Sequence, residues 1–149
     1  MKPQQKSGRF EQRDNYGSEF AGKLKNLETV SAETIVETAD AVGKYLGRKT
    51  DSNPEAIDLK VNQIRRFLDA VRKIENDIKA KSFDQVKDAI VLLRPKLAYA
   101  AGREPKVKPL MNVLDPAICS GAKSEENFQK LLKLIEGIIA YHRYYGGSN

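Results

Sequence analysis

The stretch from Glu55 to Lys81, EAIDLKVNQIRRFLDAVRKIENDIKAK, decides the fold class of this chain. Its branched apolar residues recur at intervals of three and four: Ile57, Val61, Ile64, Leu68, Val71, Ile74 and Ile78. This spacing brings them to one face of a helix, and the intervening polar residues to the other. We therefore predict a long amphipathic helix over 55–81, whose apolar face requires a second layer of structure to cover it.

Start and stop signals predict helices on both sides of this stretch. Ser31 is a candidate N-cap for an earlier helix that ends at Gly47, and a polar loop follows over 48–54. Ser82 and Gln85 have the spacing of a capping box, in which each side chain satisfies a backbone donor at a helix start. A third helix is therefore expected to begin at Ser82.

Prolines predict the boundaries in the second half of the chain. Pro95 lacks a backbone donor and disfavours helical geometry at Arg94, so we expect a break there. A short helix should then run to Ala101. Another short helix over 106–114 is expected to end at the Asp115-Pro116 pair.

A last helix is predicted to start at Ser124. Its apolar residues cover about half of its circumference at ~100° per residue, so neighbours must cover it on two sides. No segment alternates as a strand does, and the predicted fold is all-α, a compact bundle of about five helices over 27–149. The polar segment 1–26 is predicted to be a flexible basic tail.

Composition restricts the class of protein. The chain has 149 residues and a net charge of +6, which is compatible with a nucleic-acid partner without requiring one. The longest apolar run, 89–93, is too short to cross a bilayer, and the amino terminus has no export signal, so we expect no membrane partner. Cys119 is the single cysteine, which favours the reducing cytoplasm.

Catalytic and metal-binding motifs are not recognisable in the sequence. His142 is the only histidine and lies on the apolar face of the last helix, so we interpret it as a buried core residue. Cys119 is interpreted as an inert, buried thiol. We predict a protein that is not an enzyme and has no catalytic residue, metal ligand or cofactor.

Basic residues form two candidate clusters. On the 55–81 helix, Arg65, Arg72, Lys73 and Lys79 share a stripe opposite the apolar face, with Arg66 at its margin. These cations could contact phosphate groups, or they could form an ordinary solvated face in which Asp69 pairs with an arginine.

The second cluster surrounds the predicted break at Pro95. Arg94, Lys96 and Arg103 could bind a phosphate together, since guanidinium groups bind it through paired hydrogen bonds. They could equally cap carbonyls near helix ends. Tyr99 lies between them and could stack on a base, although we expect a buried tyrosine instead.

Three stretches resemble the small subunit of the type III-A CRISPR Csm effector complex. They are NQIRRFLDAVRKIE, LRPKLAYAAGRE and IIAYHRYYGG, at residues 62–75, 93–104 and 138–147. The resemblance implies a helical, non-catalytic subunit that stacks in several copies beside the guide RNA and the target RNA, together with other Csm subunits. The wide apolar arc of the last helix would leave surface for a neighbouring copy.

The resemblance and the cation stripe together give eight candidate RNA-binding positions. They are Gln63, Arg65, Arg66, Arg72, Lys73, Arg94, Lys96 and Arg103. Contacts to phosphate groups would suit a subunit that must ignore RNA sequence. The alternative is a helical protein-interaction adaptor whose basic face binds an acidic partner.

Overall fold

The computed structural model describes residues 15–148, and within them six helices of nine or more residues form a single packed unit. They are α1 (Ala32–Leu46), α2 (Arg65–Ala80), α3 (Phe83–Val91), α4 (Leu93–Arg103), α5 (Lys108–Gly121) and α6 (Glu125–Tyr144). Shorter helical turns connect them, and no strand forms among the described residues. The predicted all-α fold is confirmed. None of these helices is both long and apolar enough to pass through a membrane.

Helices α1 and α6 run side by side in the same direction. Ala39 lies against Gly137, and Gly43 lies against Tyr141, so small residues at the contact let the two backbones approach closely. The predicted N-cap of α1 is confirmed, because Ser31 Oγ accepts a hydrogen bond from the Thr34 N–H (3.1 Å). The pair of helices forms the centre of the core.

Helix α6 starts where the sequence predicts. Ser124 Oγ accepts a hydrogen bond from the Asn127 N–H (3.1 Å). Both α1 and α5 cover its apolar arc, so Leu131, Leu134 and Ile138 are fully buried within the chain. The protein's own helices therefore cover most of this arc, whereas Ile139, Tyr141 and Tyr145 within it are only half-buried, and contact with a neighbouring copy stays a prediction.

The predicted 55–81 helix begins ten residues later than expected, at Arg65. Residues 56–60 have no regular secondary structure, and three of their backbone N–H groups donate to carbonyls at the end of α1: Ile57 to Tyr45, Asp58 to Gly47 and Leu59 to Leu46. The last carbonyls of a helix have no partner inside the helix. Hydrogen bonds to these carbonyls are therefore favoured over a helix in this segment, despite its helical periodicity. Asp58 has a left-handed backbone conformation (φ 56°), which makes the turn that this arrangement requires.

The break near Pro95 lies at Leu92 rather than at Arg94, which is helical. In a continuous helix the proline ring would meet the carbonyl of Val91, four residues earlier. Ending α3 at Val91 removes that conflict and leaves Pro95 in the first turn of α4, where no backbone donor is needed. The predicted capping box of Ser82 and Gln85 at the start of α3 is confirmed.

Helix α5 continues through the Asp115-Pro116 pair, where the sequence predicts its end. Proline in a helix interior removes one backbone hydrogen bond. Val113 and Leu114 before it, and Ala117 and Ile118 after it, are all buried, and their packing keeps both halves in one helix. The predicted 106–114 helix is therefore longer, running over Lys108–Gly121.

The segment 15–26 differs from the predicted tail. Leu24 is 0% exposed, and the rings of Tyr16 and Tyr45 stack with centroids 3.7 Å apart. Asn112 Nδ2 also donates to the Tyr16 carbonyl (3.0 Å). The buried Leu24, the stacked ring of Tyr16 and this hydrogen bond suffice to order the otherwise polar segment against the helices. The rest of the predicted tail, 1–14, lies outside the described residues.

Candidate nucleic-acid interface

A groove of about 770 Å³ lies between α4 and the start of α2. One wall is built from α4, and the other from the first turn of α2 and the helical turn Val61–Gln63 that precedes it. The lining residues are Asn62, Gln63, Arg66, Phe67, Leu92, Pro95, Lys96, Tyr99, Ala100 and Arg103. The volume is within the range of ~300–1,000 Å³ that is usual for small-molecule sites.

The wall from α4 follows from helical spacing. Lys96, Tyr99, Ala100 and Arg103 are three or four residues apart and therefore share one face of the helix. The break between α3 and α4 adds Leu92, which belongs to neither helix and is 57% exposed. Local sequence thus determines this wall almost entirely.

The other wall depends on the late start of α2. Because the chain is extended before Val61, the turn over Val61–Gln63 precedes Arg65 and brings Asn62 and Gln63 to the rim. Phe67 of α2 is 4% exposed and forms the floor, while Arg66 of the same turn lines the groove. A continuous helix over 55–81 would lack this arrangement.

The groove is electropositive. Among the lining residues that the structure describes are three cations, Arg66, Lys96 and Arg103, and no carboxylate. None of the three forms an ion pair with a residue in the described part of the chain. The Arg103 guanidinium lies 5.9 Å from the centroid of the Tyr99 ring, a cation–π distance. Cations without acidic partners leave their charge available to an anion.

Four of the eight predicted RNA-binding residues come together in the groove: Gln63, Arg66, Lys96 and Arg103. Arg65, Arg72 and Lys73 are exposed on the solvent side of α2, outside the groove. Within residues 15–148, no ion pair joins Asp69 to Arg65 or Arg72. These three cations extend a basic surface along α2, and their contact with RNA stays a prediction.

Arg94 is separated from the other residues of its predicted cluster. Its Nε and Nη2 donate to the two carboxylate oxygens of Asp115 on α5 (2.8 and 3.1 Å). These hydrogen bonds, and then the charge of Asp115, raise the pKa of Arg94. Lys96 is two residues further along α4 and so lies about 200° around the helix from Arg94. The helix therefore divides the predicted cluster between two surfaces.

Tyr99 is 65% exposed, so the expectation of a buried tyrosine is wrong. Leu93 and Leu97 supply the buried face of α4, and Tyr99 lies away from both. Leu92, Phe67 and Ala100 also line the groove and were not predicted to do so. The spacing of Ala100 from Lys96 and Arg103 is the signal that could have identified it.

The two residues considered for catalysis have different environments. His142 is 3% exposed and its Nε2 bonds to the Leu59 carbonyl, so its predicted burial is confirmed, while its Nδ1 has no partner among the described residues. Cys119 is exposed, contrary to the prediction, because Ile118 occupies the buried face of α5 instead. No group of three or more candidate metal ligands comes together in residues 15–148.

Known proteins resemble this chain over most of its length. A family model described as Csm2 Type III-A matches residues 28–148. A protein of Streptococcus thermophilus, named CRISPR system Cms protein Csm2, is 30% identical over 126 residues, which are 83% of this chain and 100% of the relative. The region matched by the family model includes both walls of the groove.

Proposed function

This chain belongs to the type III-A Csm2 family, which makes it a small subunit of a type III-A CRISPR Csm complex, and we propose that it binds RNA there without catalysing a reaction. Its partners would be the guide RNA, the target RNA, other Csm subunits and neighbouring copies of itself. We also propose a cytoplasmic location, which fits the single cysteine.

One observation carries the RNA-binding proposal: the groove combines three cations with no carboxylate in its described lining. A surface that has to hold many different RNA sequences must contact groups that every nucleotide shares, and the phosphate is such a group. Arg66 and Arg103 can each donate paired hydrogen bonds to one phosphate, and Lys96 adds a point charge. The exposed Arg65, Arg72 and Lys73 would extend this contact along the RNA.

The proposal has a quantitative test in the salt dependence of binding. Labelled single-stranded RNAs of unrelated sequence are titrated with the full-length protein, alone and within the assembled Csm complex, at about 50 and about 200 mM salt. We expect similar affinities for all sequences, and a log-log slope of roughly −0.7 for each phosphate contact. Arg66→Ala, Lys96→Ala and Arg103→Ala should each make the slope shallower by about 0.7.

Lys133→Ala is the matched control, since Lys133 is an exposed cation of α6 that does not line the groove. It should leave the slope unchanged. Strong sequence preference, or binding that does not respond to salt, would contradict the proposal. Loss of other Csm subunits from the groove variants, with RNA binding intact, would favour the protein-interaction adaptor instead.

A further inference from the structure

The groove has features that a site for phosphate groups alone does not need. Leu92 and Tyr99 belong to the large apolar residues that the described chain leaves exposed, and both line this groove. Phe67 forms its buried floor, and Pro95 lies beside Lys96 in the lining. An anion-binding surface gains nothing from such an apolar wall, so the wall indicates a ligand that also has an apolar part.

The ring of Tyr99 is the central element of that wall. It is 65% exposed, and the Arg103 guanidinium one turn later on α4 lies 5.9 Å from its centroid. This cation–π contact restrains the ring and places a positive charge beside any group that stacks on it. Aromatic rings that are exposed next to cations are the usual platform for the bases of single strands.

The polar lining fits the remaining parts of a nucleotide. Arg66 and Lys96 lie in the same groove as the ring and can hold the phosphates on either side of a stacked base. Asn62 and Gln63 at the rim carry amide groups that donate and accept hydrogen bonds, as the edges of bases and riboses do. Since no described lining residue is a carboxylate, nothing there repels a phosphate.

From this combination we infer that the groove holds one unpaired nucleotide of single-stranded RNA, with its base stacked on Tyr99 and its phosphates held by Arg66 and Lys96. The inference rests on the proposed RNA-binding function and specifies which form of RNA the groove accepts. In a duplex the bases are stacked inside the helix and cannot reach the ring, so paired RNA would contact only the cations.

The test separates the base from the phosphate by changing each in turn. The full-length protein is titrated with a polyuridine strand, with a strand of equal length that has ribose and phosphate but no bases, and with a duplex. Tyr99→Leu removes the aromatic ring and keeps an apolar side chain, and Tyr99→Phe keeps the ring. Because Tyr99 is exposed, both variants should fold, which circular dichroism would verify.

We expect Tyr99→Leu to weaken binding of the polyuridine strand by about 5- to 150-fold, the usual loss for one stacked base. Its binding of the base-free strand and its salt slope should stay the same. Tyr99→Phe should bind as the unchanged protein does. A fluorescent purine analogue within the strand should be quenched by the unchanged protein and by Tyr99→Phe, and not by Tyr99→Leu.

Lys96→Ala is the complementary variant, and it should weaken binding of both strands equally. If Tyr99→Leu weakens binding of the base-free strand as much as binding of the polyuridine strand, or affects neither, the inference of a stacked nucleotide is wrong. The proposal of salt-dependent RNA binding would still stand. If the unchanged protein binds none of the three probes, alone or in the Csm complex, the RNA-binding function itself fails and the inference fails with it.

Discussion

Gly43 of α1 has no side chain, and atoms of α6 fill the space that a side chain would need. A Cβ atom added there would lie 2.6 Å from the Tyr141 Cβ and 2.8 Å from the His142 backbone nitrogen. Gly102 of α4 is also helical, yet a Cβ there would meet nothing within 4 Å. The same substitution should therefore have opposite effects at these two residues.

Gly43→Ala is expected to lower the free energy of unfolding by about 1–3 kcal/mol, since backbone atoms must move to admit the methyl group. Gly102→Ala is the matched control and should raise it by roughly 0.5–1 kcal/mol, because alanine loses less conformational freedom in a helix. Urea denaturation of both variants measures the two changes. Equal stability of Gly43→Ala and the unchanged protein would contradict the close packing of α1 on α6.

At the scale of the element, a side-chain hydrogen bond joins α1 to the end of α6. The Tyr145 hydroxyl donates to Asp40 Oδ1, and this hydrogen bond raises the pKa of Tyr145 to about 12. In the unfolded chain a tyrosine titrates near pH ~10. The neutral phenol is thus favoured in the folded protein, and its stabilising contribution is fully present below pH ~10 and lost as the pH rises toward 12.

We expect the stability of the protein to fall between about pH 10 and 12, and to fall less steeply in Tyr145→Phe, which has no hydroxyl to lose. Urea midpoints across this range, with phenolate absorbance to follow the titration, measure the effect. Tyr99→Phe is the control, because Tyr99 lies on α4 and is not among the groups that act on Tyr145, so it should leave the slope unchanged. Identical slopes for Tyr145→Phe and the unchanged protein would exclude this contribution.

At the scale of the whole molecule, the last described residues connect distant parts of the chain. The Val61 N–H donates to the Ser148 carbonyl (2.9 Å), and the Gly147 N–H donates to the His142 carbonyl (2.8 Å). Gly147 also lies directly on the imidazole of His142, where a Cβ would overlap the ring. Residues 146–148 therefore cover the buried histidine and hold the turn over Val61–Gln63 that forms one rim of the groove.

Deleting residues 146–149 should lower the free energy of unfolding by about 1.5–4.5 kcal/mol, since the three backbone hydrogen bonds made by Gly146, Gly147 and Ser148, of ~0.5–1.5 kcal/mol each, are lost. It should also weaken RNA binding, because the rim residues Asn62 and Gln63 lose their support. Urea denaturation and the RNA titration measure the two effects. Ser148→Ala keeps the backbone carbonyl and serves as the control, and a deletion that matched it in both assays would contradict this role.

Local features of the sequence predicted much of the fold. Ser31, Ser82 and Ser124 each mark a helix start, because a capping hydroxyl satisfies donors within the next three residues. The sequence also indicated Lys96 and Arg103 as members of one basic cluster, although it grouped Arg94 with them. These are short-range effects that no distant part of the chain needs to complete.

The errors arose where distant residues decide the local structure. Residues 56–60 are not helical because their backbone donors satisfy the end of α1, and α5 passes through Pro116 because buried residues pack on both of its sides. Neither cause is visible in the residues themselves. The ion pair of Arg94 with Asp115 likewise needs two helices to meet.

The sequence by itself determined that the chain is helical, where most of its helices start, and that it resembles the type III-A Csm small subunit. Only the tertiary structure decided which cations share a groove and that Tyr99 is exposed within it. The physical reason is the distance along the chain over which each effect acts. Capping and periodicity act over a few residues, whereas burial and ion pairing depend on how whole helices pack.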